Sequence, residues 1–422
     1  MKLLAGILLL ATSAFSQTHD KSSISGRWEG NATVRGQQVP VRLQISGSAS
    51  ALKAALLNGA EEVPASSVSF ADGRLVLNFD YYARTLEATL ENGELTGTFG
   101  LVAAQAAGSH SSPRVPFVLH PAVSAVGIGG PDIKGDWEIA VKSAKGESAW
   151  QLRVEPASKT TDIRAVIQRI DGDTGSLYGA WNGHEYRVSH FTAAGPALYS
   201  LTPQADGTLL VSNLLVAEAQ KAQQSDLVAR RPAEARKENL PAPTESTEQT
   251  TVKDPSKRFV FSFPDLNGKV ISNTDPQFDG KVVIVAVGGS WCPNCHDEAP
   301  FLESLYKQFH GRGLEIVNLS FEEADQLKDP ARLRAFIARY GITYTVLVAG
   351  TPDDLAEKIP QGEHLNCWPT SFILGRDGRV REVHAGFAGP ANPPAHEALK
   401  REVTALIDEL LAEPVPTQNA SR

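Results

Sequence analysis

The feature that most constrains this chain is a pair of cysteines placed directly after a long apolar run. Residues 282–287 are all apolar, which is typical of a strand buried on both faces of a sheet. Two glycines and a serine then lead into Trp291-Cys292-Pro293-Asn294-Cys295, and residues 300–310 show a helical pattern. The two cysteines are therefore predicted to lie where a buried strand passes into a helix.

This placement gives the two thiols different chemical properties. Three residues apart in a first helical turn, their sulfur atoms can reach disulfide distance. Unpaired N–H groups and the helix dipole favour a thiolate at Cys292, and Pro293 suits the first helical position, which needs no N–H donor. Cys295 is then placed to attack a mixed disulfide formed at Cys292. We therefore predict a redox-active Cys292–Cys295 disulfide.

The residues after Phe259 alternate between apolar runs and helical patterns, which predicts an α/β domain over residues 257–412. The further strands are predicted at 314–319, 346–348, 371–374 and 380–384, and the further helices at 330–340 and 395–411.

The predicted α/β domain resembles the thioredoxin-fold domains of TlpA/ResA-like thiol–disulfide oxidoreductases. The matching stretches are residues 263–269, 280–283, 290–295, 298–300 and 368–372. The resemblance implies that Pro369 is a cis-proline opposite the dithiol and that Trp291 and Trp368 contact an extended substrate strand. It further implies that Glu322 manages a proton at the buried Cys295.

The resemblance also carries expectations about partners. Proteins of this type act on protein thiol/disulfide substrates, usually as reductants and often in cytochrome c maturation, and receive electrons from a membrane donor. No cofactor or metal is expected. Three departures stand out: Ala286 replaces the buried Asp of thioredoxins, two glycines replace a bulkier pair at 288–289, and Cys367 adds a third thiol near Pro369.

The N-terminal half contains two similar β-rich segments, which predicts a duplication over residues 22–122 and 130–233. Both segments open with a Gly-x-Trp motif, at Trp28 and Trp137, and both end before a Pro-Ala pair at similar spacing. Apolar residues alternate with polar ones between Gly-containing turns, as in antiparallel strands. We expect two lipocalin-like barrels or sandwiches, with each Trp closing the end of its core.

The remaining segments predict an exported protein. Residues 1–16 have the charged start, short apolar run and Ala-Phe-Ser end of a signal peptide, and the later sequence contains no run apolar enough to span a bilayer. The export pattern indicates a periplasmic or extracytoplasmic location. Residues 234–256 are polar and predicted to be a flexible linker, and residues 413–422 a polar tail.

Composition narrows the other possibilities. The net charge of the 422 residues is -8 and basic residues are not clustered, so nucleic-acid binding is not expected. Cys292 to His296 also match the C-x-x-C-H haem-attachment string, and zinc binding by Cys292, Cys295, His296 and Cys367 is a further alternative. A peroxiredoxin-like peroxidase would require Thr where Gly289 stands, and a binding module built on the β-rich duplication remains open.

Overall fold

The computed structural model describes residues 24–48, 51–102, 114–123, 129–157 and 161–415. The predicted signal peptide at 1–16 and residues 416–422 of the predicted tail lie outside these ranges. Within the described ranges, none of the helices is both long enough and apolar enough to cross a bilayer.

The first repeat is a nine-stranded antiparallel meander that curls into a barrel. Its strands are β1 (Gly26–Val34), β2 (Gln37–Ser48), β3 (Ala51–Asn58), β4 (Glu61–Pro64), β5 (Ser67–Ala71), β6 (Arg74–Phe79), β7 (Arg84–Glu91), β8 (Glu94–Leu101) and β9 (Val115–Pro121). Consecutive strands pair except β4 and β5, and β1 also pairs with β9, so among the described residues this barrel is open between β4 and β5. A short 3₁₀ turn, Asp80–Tyr82, joins β6 to β7.

The second repeat is a closed barrel. Its strands are β10 (Gly135–Ala140), β11 (Ala149–Pro156), β12 (Ile163–Arg169), β13 (Gly172–Asp173), β14 (Leu177–Trp181), β15 (Tyr186–Thr192), β16 (Gly195–Pro203), β17 (Leu209–Asn213) and β18 (Leu227–Arg230). β10 pairs with both β11 and β18, and β11 also pairs with β12, which closes the ring. β13 is a short hairpin arm on the end of β12.

Both repeats contain the same buried tryptophan hydrogen bond. They confirm the predicted all-β duplication and have the form of barrels. The Trp28 indole N–H donates to the Ile24 carbonyl at 2.9 Å, and the Trp137 indole N–H donates to the Ile133 carbonyl at 2.9 Å. Both indoles are buried among the apolar side chains of their barrel. The alternating pattern places apolar side chains inward, so each barrel interior is a packed core.

The barrels also pack against each other through the outer surface of β15. Phe191 of the second barrel joins the core of the first, where its ring lies 5.0 Å from that of Phe99. Polar contacts flank this packing, since the Asn58 amide donates to the Ser176 carbonyl at 2.8 Å. The two repeats therefore form one continuous apolar contact.

The segment between the second barrel and the α/β domain includes the predicted linker at 234–256 and contains short helices and a short strand. It contains α2 (Pro232–Lys237), α3 (Ser246–Gln249) and β19 (Thr251–Val252), and α1 (Lys221–Gln224) precedes it. The Gln249 amide donates to the Lys145 carbonyl and to Asn366, and the Thr250 hydroxyl donates to the His364 carbonyl. These long-range hydrogen bonds hold a polar segment that has little apolar surface to bury. Its mobility stays a prediction.

The C-terminal domain has a central five-stranded sheet with helices packed on it. Its elements are β20 (Ser262–Pro264), β21 (Val270–Ser272), β22 (Val282–Gly288), α4 (Pro293–Phe309), β23 (Leu314–Phe321), α5 (Ala324–Lys328), α6 (Ala331–Tyr340), β24 (Thr345–Gly350), α7 (Leu355–Lys358), β25 (Gly362–Glu363), β26 (Thr370–Leu374), β27 (Val380–Ala385) and α8 (Pro393–Ala412). The strand order is β24-β23-β22-β26-β27; β22, β23 and β24 are parallel, and β26 is antiparallel to both of its neighbours, β22 and β27. β22 is buried along its whole length, as its unbroken apolar run predicts. This arrangement is the predicted thioredoxin fold.

The second barrel docks on the C-terminal domain beside β27. Gly172 forms a parallel bridge with Phe387, and Ile170 packs with Cys367 and Ala385. Gly386 allows this approach, because a Cβ atom there would lie 2.0 Å from the Ile170 carbonyl oxygen. The two backbones therefore meet without room for a side chain.

We predict that Gly386→Ala separates the second barrel from the C-terminal domain. Gly378→Ala is a matched control, because Gly378 has a similar φ of 76° against 73°, but a Cβ there meets only the Arg258 side chain, at 3.4 Å. Each substitution costs about 1 kcal/mol from positive φ alone. Small-angle X-ray scattering is expected to show a larger radius of gyration for Gly386→Ala only. Equal radii for both variants would contradict the docking described.

Candidate active site

The dithiol lies at the N-terminus of α4, where the sequence places it. Cys292 is the N-cap residue, and its sulfur accepts a hydrogen bond from the Cys295 N–H at 3.3 Å. Pro293 occupies the first helical position. Both cysteines are free thiols and are buried, with 3% and 5% of their surface exposed. The structure therefore brings the two predicted redox residues together in the reduced form.

The surroundings of the Cys295 thiol disfavour its ionisation. Burial raises its pKa well above the ordinary value, and the neighbouring Cys292 and Glu298 add to the shift. A thiol of this kind stays protonated at neutral pH. It requires a nearby base before it can attack a mixed disulfide.

Glu298 is a candidate for that base, and the sequence reasoning did not single it out. It lies one helical turn after Cys295 on α4 and is 5% exposed, and its carboxylate accepts a hydrogen bond from the Ser371 hydroxyl at 2.8 Å. Burial raises its pKa to about 7. It can therefore exchange a proton near neutral pH. The available sequence signal was its spacing from Cys295, which places it on the same buried helix face.

Glu322 has different contacts from those that its predicted role suggested. Its fully buried carboxylate accepts hydrogen bonds from the Ser290 N–H and hydroxyl, both at 2.7 Å, and from the Ser320 hydroxyl at 2.8 Å. It also pairs with the buried Arg332 guanidinium at 2.9 Å. These contacts hold the loop that leads into the dithiol, which is the work of a positioning residue. A proton-transfer role for Glu322 stays a prediction.

The loop that precedes β26 lies beside the dithiol loop. The Trp368–Pro369 peptide bond is cis, and Val287 at the end of β22 pairs with Thr370 directly after it. The Trp368 and Trp291 rings meet edge to face, with centroids 5.4 Å apart. The structure therefore groups the predicted substrate-contacting residues on one side of the dithiol.

His296 and Cys367, two of the residues in the alternative zinc and haem sites, contact neighbouring protein groups. One His296 ring nitrogen contacts the Tyr340 hydroxyl at 2.9 Å and the other the Ser290 carbonyl at 2.8 Å. Burial lowers the pKa of His296 to about 3. Cys367 packs against Ile170 of the second barrel, and burial raises its pKa to about 12. In the described part of the chain, no group of three or more His, Cys, Asp and Glu side chains is placed to hold a metal ion.

Both barrels reach the start of α4. The Tyr82 ring, from the turn between β6 and β7, stacks on His296 with a centroid distance of 4.0 Å. From the second barrel, the Asp171 carbonyl accepts a hydrogen bond from the Asn294 amide at 2.7 Å. The dithiol thus lies at a junction of three folded units.

The fold and the site define the class of the C-terminal region, which is a thioredoxin-fold domain of thiol–disulfide oxidoreductase type. Residues 255–383 match the AhpC/TSA family. The chain is similar to the thiol-disulfide oxidoreductase ResA of Bacillus anthracis, with 32% identity over 126 residues, covering 30% of this chain and 66% of that protein. It is also similar to the thioredoxin-like protein YneN of Bacillus subtilis, with 27% identity over 143 residues, covering 34% and 78% of the two chains. These relatives confirm the resemblance of the C-terminal domain to ResA-like proteins.

Two solved structures are each similar to little more than a third of the chain. One is a thiol:disulfide interchange protein of the thioredoxin family from Chlorobium tepidum, with 26% identity, 38% of this chain and 99% of that chain covered, and a TM-score of 0.29. The other is a secreted disulfide oxidoreductase from Mycobacterium tuberculosis, with 19% identity, 34% and 95% coverage, and a TM-score of 0.27. The chain spans just under two thirds, 66%, of the ResA of Bacillus anthracis.

We predict that the wild-type protein loses stability as pH rises because Glu298 is buried, and that Glu298→Gln does not show this loss. The folded state holds the Glu298 proton up to a pKa of about 7, whereas the unfolded state releases it near 4.5. Stability is therefore lost between these two pH values, by about 3 kcal/mol. Urea unfolding of the reduced proteins is expected to show the variant gaining on the wild type by this amount across the range.

Glu357→Gln is the control for the loss of one charge, since Glu357 is exposed on α7. It is expected to follow the wild-type pH profile. A difference between Glu298→Gln and the wild type that stays constant with pH would show that Glu298 does not carry this proton.

Proposed function

We propose that this protein is an exported thiol–disulfide oxidoreductase that reduces disulfides in protein substrates. The observation that carries the proposal is the Cys292 and Cys295 pair at the N-terminus of α4, beside the cis Trp368–Pro369 bond. The signal-peptide pattern at 1–16 supports export to the periplasm or another extracytoplasmic location. Its relatives named thiol-disulfide oxidoreductases support the class of reaction.

The proposed reaction passes through one mixed disulfide. The Cys292 thiolate attacks one sulfur of the substrate disulfide, and the other substrate sulfur leaves as a thiolate that takes a proton. Glu298 then accepts the proton of Cys295, whose thiolate attacks the Cys292 sulfur of the mixed disulfide. The products are the second substrate thiol and the Cys292–Cys295 disulfide. Two electrons from a membrane donor would restore the dithiol.

Other residues around the dithiol would contact the substrate or position the dithiol loop. Trp291 and Trp368 form an aromatic edge beside the dithiol, which is suited to an extended peptide. Trp291 is fixed because its indole N–H donates to the Phe321 carbonyl at 2.9 Å. Ser290, held by Glu322, sets where the dithiol loop begins. The substrate strand would pair with the backbone at Trp368.

The competing functions have less support from these observations. Each barrel interior is filled by buried apolar side chains, so a ligand-binding lumen is not what the duplication provides. A peroxidase would need a hydroxyl near the attacking sulfur where the chain has Gly289. We therefore propose that the barrels serve the redox reaction by packing around the dithiol.

We predict that Cys292→Ser abolishes insulin reduction, because the attacking sulfur is lost. Cys295→Ser is expected to accumulate a mixed disulfide with its substrate, because the sulfur that would release it is missing. Cys367→Ser is the matched control and is expected to keep wild-type activity. The readouts are insulin turbidity and non-reducing electrophoresis. Unchanged activity in Cys292→Ser would refute the proposed reaction.

We also predict that the dithiol is reducing. The expected reduction potential lies near that of thioredoxin, about −270 mV, because a reductase must donate electrons to protein disulfides. Equilibration with glutathione buffers, followed by thiol alkylation and mass spectrometry, measures this value. A potential near about −120 mV, typical of a strong oxidant, would reverse the proposed direction.

A further inference from the structure

A cavity of about 450 Å³ lies at the junction of the three folded units. Pro293 and Asn294 line it from the dithiol loop, and the segment 192–197 lines it from the second barrel. Neither active-site cysteine is among its lining residues. The cavity is therefore a compartment beside the redox site and outside the proposed reaction.

Each folded unit contributes at least one carboxylate to this cavity. Glu61 comes from β4 of the first barrel, Asp173 from β13 of the second, and Asp297 from α4. The Asp297 and Asp173 Oδ2 atoms lie 2.6 and 3.0 Å from the position that a Cβ atom on Gly389 would take. Two carboxylates from different units therefore face each other across one glycine.

The hydrogen bonding of these groups is incomplete. Asp173 is 8% exposed, and its Oδ1 accepts from the Gly175 N–H at 2.7 Å, but its Oδ2 is shielded from solvent and has no hydrogen-bond partner. The shielded Nδ1 of His190, on the same cavity wall, also lacks a partner. A buried polar atom of this kind is costly unless something supplies the missing hydrogen bond.

Within the described part of the chain, no lysine or arginine side chain forms an ion pair with Glu61, Asp173 or Asp297. Glu61 accepts hydrogen bonds from the Asn58 amide and the Ser176 hydroxyl, both neutral groups. Arg339 lines the cavity, but its guanidinium lies over the Tyr81 ring, 5.2 Å from the centroid. Burial and mutual repulsion raise the pKa of Asp173 to about 6 and that of Asp297 well above its ordinary value.

We propose that this cavity binds a small linear organic cation that carries two or more ammonium groups. Ammonium groups would donate hydrogen bonds to Asp173 and Asp297 at one end and to Glu61 at the other, and His190 Nδ1 is a further acceptor. The apolar carbons between the charges would contact Ala193 and Pro196.

The arrangement favours an extended organic cation over a metal ion. Among the residues that the structure describes, no three His, Cys, Asp or Glu side chains converge at metal-binding spacing. The three carboxylates are instead distributed over a cavity much larger than one ion. This inference is independent of the proposed redox reaction, because it uses neither thiol.

Isothermal titration calorimetry of the full chain with spermidine tests the proposal. Saturable binding to one site is expected, with affinity at least about ten-fold higher than for butylamine, which carries a single charge. MgCl₂ is expected not to compete at equal concentration. No binding, equal affinity for butylamine, or displacement by MgCl₂ would each overturn the proposal, and none of these outcomes depends on a variant.

Variants locate the site. Asp173→Asn and Asp297→Asn are each expected to weaken spermidine binding by about ten-fold, because each removes one charge-assisted hydrogen bond. Glu91→Gln is the control, since Glu91 is an exposed residue on β7 outside the cavity and loses the same charge. Near-ultraviolet circular dichroism confirms that each variant is folded. Equal losses in all three variants would show non-specific charge attraction and refute the site.

Discussion

The position of the dithiol depends on the buried ion pair between Glu322 and Arg332. Glu322 directly follows β23, Arg332 lies in the first turn of α6, and both bind Ser290, so three parts of the domain are fixed to one another immediately before the cysteines. Buried ion pairs are costly to break because the remaining charge stays unpaired. The same helix, α6, carries Tyr340, which holds His296 against Tyr82 of the first barrel. One ion pair thus anchors both the redox loop and the surface where the barrel docks.

Glu298 supplies a buried carboxyl group near the dithiol, although this chain lacks the buried Asp of thioredoxins. Thioredoxins carry an Asp on the central strand where this chain has Ala286. Ala286 pairs with Ser371 across the sheet, and the Ser371 hydroxyl donates to Glu298 from α4. A carboxyl group is therefore supplied from the helix at the level where the strand lacks one. The same requirement, a buried carboxyl group near the dithiol, can thus be met from position 286 on the strand or from position 298 on the helix.

Local pattern was sufficient to predict much of this architecture. The apolar run of β22, the alternation in the barrels and the Cys292–Cys295 spacing each reflect a rule that operates over a few residues. The hydrogen bonds of residues 234–256, such as that from Gln249 to Lys145, could not be predicted from local pattern because they join distant parts of the chain. The contacts of Glu322 and the burial of Glu298 were missed for the same reason, since only tertiary packing decides which acidic side chains face a core.

The stacking of Tyr82 on His296 has a consequence for access to the dithiol. Cys292 is only 3% exposed, and the Tyr82 ring and the Asn294–Asp171 hydrogen bond both lie at the start of the same helix. Both contacts come from the N-terminal half, so that half covers part of the surface around the start of α4. It thereby limits the directions from which the disulfide of another protein can approach the sulfur.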